Sequence, residues 1–118
     1  MNIYGIKNCS TVKKALDWLK ENQIDFEFHD FKKEGVSTEK LQEWSSKVGY
    51  EKLLNKQGLT WKQLDAQTKA TIIGEKEALQ LLYAKNSMIK RPVLELDDQL
   101  VLGFQEEQYQ MLFLPVKK

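Results

Sequence analysis

The chain has 118 residues, 42% hydrophobic and 30% charged, enough for one folded domain whose core needs no disulfide staples. Eighteen basic and seventeen acidic side chains leave a net charge of +1, so the charge balance offers no footprint for nucleic acid or a membrane surface. There is no basic-then-apolar leader, no apolar run of membrane-spanning length, and a single cysteine that cannot form an internal disulfide; a cytoplasmic, reducing setting is expected.

Residues 1–5 read as a short strand ending at Gly5. Cys9 and Ser10 then open a helix predicted to run to about Asn22, the expected left-handed stop. Its apolar residues Val12, Ala15, Leu16 and Leu19 fall at i, i+3, i+4 and i+7, with Lys13, Lys14, Asp17, Lys20 and Glu21 on the other side. Ile24, Phe26 and Phe28 alternate with Asp25, Glu27 and His29 as in a half-buried strand. A strand–helix–strand unit of this kind makes its two strands parallel.

Ser37 caps a second helix carrying Leu41, Trp44 and Val48, stopped by Gly49. Residues 50–85 read as short helical pieces, punctuated by Gly58 and Gly74, with Thr60 a further cap candidate and Ala78, Leu81 and Leu82 in the last helix. Two short runs, 93–96 and 99–102, flank Asp97-Asp98 and predict an antiparallel hairpin. Residues 106–114 close the chain as a helix presenting Tyr109, Leu112 and Phe113. The order β-α-β, helical stretch, β-β-α predicts a single α/β domain over 1–118. That domain is a thioredoxin-like mixed sheet with an all-helical insertion at roughly 37–86.

Cys9 stands where a strand ends and a helix begins. Thiolate, not thiol, is the nucleophile, and a helix N-terminus supplies free N–H donors and partial positive charge that favour it. Lys7, Lys13 and Lys14 are near in sequence and add to that field. The alternative is a buried, inert cysteine; the strand–loop–helix position favours the functional thiol. Cys9-Ser10-Thr11-Val12 is a Cys-x-x-Cys motif without its second cysteine, so any catalytic cycle needs an outside thiol to resolve the oxidised sulfur. Arg91, the only arginine, directly precedes Pro92 at the start of the hairpin, and its planar fork suits oxyanions as lysine does not.

These features resemble the glutaredoxin-linked arsenate reductases and their relatives, most nearly the YffB-like branch, together with the regulator Spx. The resemblance is carried by Tyr4-Gly5-Ile6-Lys7-Asn8-Cys9-Ser10-Thr11-Val12-Lys13-Lys14-Ala15, by Phe28-His29-Asp30-Phe31, by Leu53-Leu54-Asn55-Lys56-Gln57-Gly58-Leu59-Thr60-Trp61, by Ile89-Lys90-Arg91-Pro92 and by Gly103-Phe104. It implies a thioredoxin-like fold, Cys9 as nucleophile, Arg91 as oxyanion ligand, Pro92 as a cis-proline facing the thiol, and Asn8 in the loop that presents the sulfur. It also implies arsenate bound and carried as a thiol adduct, with regeneration by glutathione and glutaredoxin. The approach Gly5-Ile6-Lys7-Asn8 differs from the His-Asn-Pro approach of arsenate reductases, and no second arginine grips an oxyanion. The expectation is therefore a monomeric, glutathione-dependent thiol reductase acting on a small oxyanion or a mixed disulfide, with no bound cofactor. Glutathione would lie as an added strand along the Pro92 edge, its carboxylates meeting Lys7 or Lys56.

Other chemistries fit less well. Phosphatase-type arsenate reductases need an arginine within one loop of the cysteine, and here it lies 82 positions on. One His and one Cys make a poor metal site, and His29 is expected as a surface or hydrogen-bonded residue. Trp18, Trp44 and Trp61 read as core or boundary packing rather than a nucleic-acid platform. The rival class is an Spx-like regulator that binds RNA polymerase without catalysis, although Val12 removes the Cys-x-x-Cys switch that Spx carries.

Overall fold

The structure, a computed structural model, describes residues 1–114; the last four residues of the expected domain lie outside the described residues. The chain divides into two compact units, one formed by Met1–Asp30 with the segment from Arg91 onward, the other by Phe31–Lys90.

The first unit holds a four-stranded mixed sheet in the order β2-β1-β3-β4. Strand β1 (Asn2–Gly5) pairs in parallel with β2 (Glu27–Asp30) and antiparallel with β3 (Val93–Leu96), which turns back into β4 (Gln99–Leu102). This is the predicted thioredoxin-like arrangement. Helix α1 (Ser10–Glu21) is the crossover between β1 and β2, and α8 (Glu106–Phe113) follows the hairpin. Period-2 alternation puts Ile3, Leu94 and Val101 on one sheet face, where they join Ala15, Trp18 and Leu19 of α1 and Tyr109 of α8 in one buried cluster. Trp18 meets Tyr109 edge-on, with ring centroids 5.6 Å apart, and Phe104 does the same at 4.8 Å.

Two local expectations are corrected. The left-handed residue after α1 is Gln23 (φ 57°), not Asn22. Asn22 keeps near-helical backbone because its side-chain amide donates to the Trp18 carbonyl (2.8 Å), and the chain reverses one residue later. There the Gln23 and Ile24 N–H groups return to the carbonyls of Lys20 and Leu19, a Schellman closure. The alternating stretch 24–29 is regular strand only from Glu27, where pairing with β1 begins.

The second unit is wholly helical: α2 (Phe31–Glu34), α3 (Thr38–Val48), α4 (Tyr50–Leu53), α5 (Leu59–Lys62), α6 (Ala66–Ala70), α7 (Glu75–Ala84) and a 3₁₀ turn at Asn86–Met88. Ser37 caps α3 as predicted, accepting the Lys40 N–H at 3.1 Å, and Gly49 ends it with φ 89°, a conformation that favours glycine. Thr60 is not a cap: Gly58 precedes α5, and the Thr60 hydroxyl lies inside that turn, 3.3 Å from the Ser87 hydroxyl. Leu41, Trp44, Leu53, Ala78, Leu82, Met88 and Ile89 are buried in this unit. Single contacts stitch its pieces together: the Leu54–Ile89 bridge, the Asn86 amide on the Phe31 carbonyl, and the Ser45 hydroxyl on Glu75. No helix among the described residues is long and apolar enough to cross a membrane.

Candidate active site

The site starts from the end of β1. Gly5 is buried against α1, and a Cβ added there would lie 2.7 Å from Val12 Cγ2. Only glycine lets the strand come that close to the first turn of the helix. A tight turn follows, closed by the Cys9 N–H on the Ile6 carbonyl (3.1 Å), with Lys7 and Asn8 exposed at its tip. Cys9 has extended backbone and caps α1; its carbonyl takes the first helical hydrogen bond, from the Lys13 N–H (2.9 Å). Its half-buried sulfur is thereby delivered to the open N–H groups of the first turn.

Arg91 reaches the same sulfur from the other end of the sequence. Strand β3 pairs with β1 in a register that opposes Tyr4 to Val93. Continuing it by one and two residues brings Pro92 and Arg91 beside Gly5 and Ile6. The Arg91–Pro92 peptide bond is cis, as the resemblance implies. Pro92 is buried, and its carbonyl accepts the Gly103 N–H at 2.9 Å, which fixes this corner to the end of β4.

Three groups act on the thiol against the effect of its partial burial. Partial burial pushes its pKa up, and this is outweighed by hydrogen bonds from the Val12 N–H, the Arg91 guanidinium and the Thr11 N–H, joined by the guanidinium charge. Cys9 is therefore more acidic than an ordinary thiol. Sequence reasoning named the free N–H donors of the helix end, and the structure identifies them as the amides of Thr11 and Val12. Residues 1–16 also carry Lys7, Lys13 and Lys14 and no carboxylate. The arrangement sets an acidified thiol beside a guanidinium whose planar fork is suited to an oxyanion.

Of the predicted site residues, Cys9, Arg91, Pro92, Lys7 and Asn8 all belong to the sheet unit. Lys56 belongs to the helical unit, where its ammonium stands 5.5 Å from the Trp61 ring centroid and Lys69 stands 5.7 Å from the same ring. His29 is stacked on Tyr4 (4.7 Å) with Nε2 3.0 Å from Asn2 Oδ1; Asn2 and Tyr4 both donate to Glu95. Among the described residues no cluster of three His, Cys, Asp or Glu side chains is set to hold a metal ion.

A sequence profile described as the ArsC family matches residues 4–112. Among solved structures, a YffB protein is 42% identical with a TM-score of 0.86, over 92% of this chain and 94% of its own. An arsenate reductase (ArsC) related protein from Brucella melitensis is 44% identical with a TM-score of 0.78, over 96% and 93%. The global transcriptional regulator Spx of Lactiplantibacillus plantarum is 25% identical over 117 residues, 98% of this chain and 86% of the regulator.

Proposed function

The chain belongs to the ArsC family, and on that premise we propose that it is a glutathione-dependent thiol oxidoreductase with Cys9 as its single nucleophile. The observation that carries this reading is the Cys9 sulfur held by the Val12 and Thr11 amides and the Arg91 guanidinium. A disulfide substrate would be attacked by the Cys9 thiolate, giving a mixed disulfide and releasing one substrate thiolate. Glutathione thiolate then attacks the substrate sulfur, freeing Cys9. A second glutathione, or glutaredoxin, reduces the glutathionylated product. The net exchange oxidises two glutathione thiols to one disulfide and reduces the substrate disulfide to two thiols.

With arsenate, the thiolate would displace hydroxide from arsenic(V). Glutathione attack on the Cys9 sulfur would leave the S–As electron pair on arsenic, producing arsenic(III) and a Cys9–glutathione disulfide for glutaredoxin to reduce. Arg91 holds the anionic group in either case, and Lys7 meets a glutathione carboxylate while the tripeptide lies along the Pro92 edge. The reading places the protein in the cytoplasm, where glutathione is reduced and abundant.

The test is the pH profile of Cys9 alkylation, combined with intact-mass detection of its glutathione adduct. The half-maximal pH should fall below that of an ordinary thiol and rise in Arg91→Gln. Cys9→Ser should form no adduct and turn over neither hydroxyethyl disulfide nor arsenate in the presence of glutathione and glutaredoxin. An ordinary profile with no adduct sinks the proposal.

The likeness to Spx over nearly the whole chain supports a second reading, a regulator that binds RNA polymerase. Retained polymerase binding by Cys9→Ser, with no thiol turnover by the wild type, would favour it.

A further inference from the structure

Period-2 alternation gives the sheet a second face, opposite the one that carries Ile3, Leu94 and Val101. On it, polar side chains from three adjacent strands are joined. Glu95 of β3 lies opposite Asn2 of β1 and diagonal to Tyr4. One of its carboxylate oxygens, Oε1, accepts from the Tyr4 hydroxyl at 3.1 Å and from the Asn2 amide at 3.4 Å. Asn2 Oδ1 in turn stands 3.0 Å from His29 Nε2 on β2, and the His29 ring stacks on Tyr4. Val93 and Leu100, the neighbours of Glu95 on this face, are buried. A carboxylate placed between them is partly drawn out of water, so an apolar side chain of similar volume would serve stability as well. What the carboxylate adds is register. Strands β1 and β3 share three residue pairs, and the core face contributes one of them, Ile3 with Leu94. A single apolar pair sets a register weakly; the bonds of Glu95 to Asn2 and Tyr4 add two ties across the same strands.

We propose that Glu95 is a positioning residue for the thiol: by tying Asn2 and Tyr4 to β3 it fixes the register that aims Arg91 at Cys9. Tyr4 stands immediately before Gly5 and its close approach to Val12, and Arg91 comes two residues before Val93, the partner of Tyr4. Both halves of the site therefore start from the segment that Glu95 ties. The charge of Glu95 would act the other way, since a carboxylate disfavours a thiolate near it. Position and charge thus predict opposite results when the side chain is removed. Such positioning rests on Cys9 acting as a thiolate nucleophile, and it requires no particular substrate or reductant.

The experiment follows the pH profile of Cys9 alkylation by iodoacetamide in the full chain, with urea unfolding of each variant. Glu95→Ala should raise the midpoint part of the way to that of Arg91→Gln. Below the wild-type midpoint it should slow alkylation by roughly twofold to threefold, less than the loss of thiolate because a less acidic sulfur is the better nucleophile. Tyr4→Phe removes one of the two ties and keeps the ring, so it should raise the midpoint by less. Glu95→Gln removes the charge but offers one carbonyl oxygen to the same two donors, and should keep the wild-type profile. Val101→Ala weakens the same sheet from β4; it should lose stability and leave the midpoint in place. In an Arg91→Gln background, Glu95→Ala should shift nothing further, because the group it positions is gone. Glu95 has no such role if Glu95→Ala leaves or lowers the midpoint, if Val101→Ala raises it as much, or if the effects of Glu95→Ala and Arg91→Gln add. An ordinary midpoint in the wild type overturns the thiolate reading and the positioning together. A lowered wild-type midpoint that Glu95→Ala does not move overturns the positioning alone. The expected shifts without any glutathione-dependent turnover support the positioning and overturn only the oxidoreductase reading.

Discussion

The sheet unit and the helical unit are built on different terms. In the sheet unit one cluster, Ile3, Ala15, Trp18, Leu19, Leu94, Val101 and Tyr109, is shared by both helices and three of the four strands, and the strand register fixes where each side chain points. It brings Arg91 to Cys9 across 82 positions of sequence. The helical unit makes no such demand. Most of its helices are single turns, joined by caps and isolated bridges around Trp44 and its neighbours. Exact placement matters in the first unit; bulk and capping suffice in the second.

The largest effect tests the second half of that contrast. Trp44 is fully buried, so Trp44→Ala should cost about 3–5 kcal/mol in urea unfolding. In the folded protein the alkylation profile of Cys9 should keep its midpoint. A shifted midpoint would break the comparison, because the thiol environment would then depend on helical-unit packing.

Gly5→Ala adds a single carbon, 2.7 Å from Val12, where the first unit has no slack. It should destabilise by about 1–3 kcal/mol and raise the alkylation midpoint of Cys9, since the first turn of α1 must move from the strand. A tolerated alanine with an unchanged thiol would show that placement is looser than the register suggests.

The smallest effect has the opposite sign. The Tyr109 hydroxyl is buried with no hydrogen-bond partner among the described residues, and burial pushes its pKa up. Tyr109→Phe should therefore stabilise by about 1 kcal/mol. Because the folded state resists tyrosine ionisation more than the unfolded chain does, wild type should lose stability as pH rises past about 10, and the variant should lose less. Cys9 works in the other direction. Its depressed pKa contributes stability that is fully present above the ordinary thiol range and is lost as pH falls through the folded-state value.

Much of this was legible in residue pattern. The 3.6-residue period of α1, the Ser37 cap and the Asp97-Asp98 hairpin are local signals, and local physics settled them. Cys9 was legible by position, at a strand-to-helix junction. The nearness of Arg91 to Cys9 was not, because a contact over 82 positions depends on strand order and register, and only the family resemblance pointed to it. The N–H donors at the start of α1 were legible by the same position, and the backbone there decides that those of Thr11 and Val12 serve the sulfur. Asn22 and Thr60 were misread for a common reason: each side chain found a hydrogen bond other than the one its residue type favours, Asn22 to the Trp18 carbonyl and Thr60 to Ser87.

The three residue pairs that join β1 to β3 also bear on how the thiol behaves when the protein opens. Arg91 precedes that ladder, so its bond to the sulfur lasts only while the ladder is closed. Each excursion that unzips β3 from β1 takes the guanidinium from the sulfur, so Cys9 loses that share of its acidity and keeps only what the Val12 and Thr11 amides supply. Amide exchange along β3 and thiol reactivity should report the same opening, one rising as the other falls.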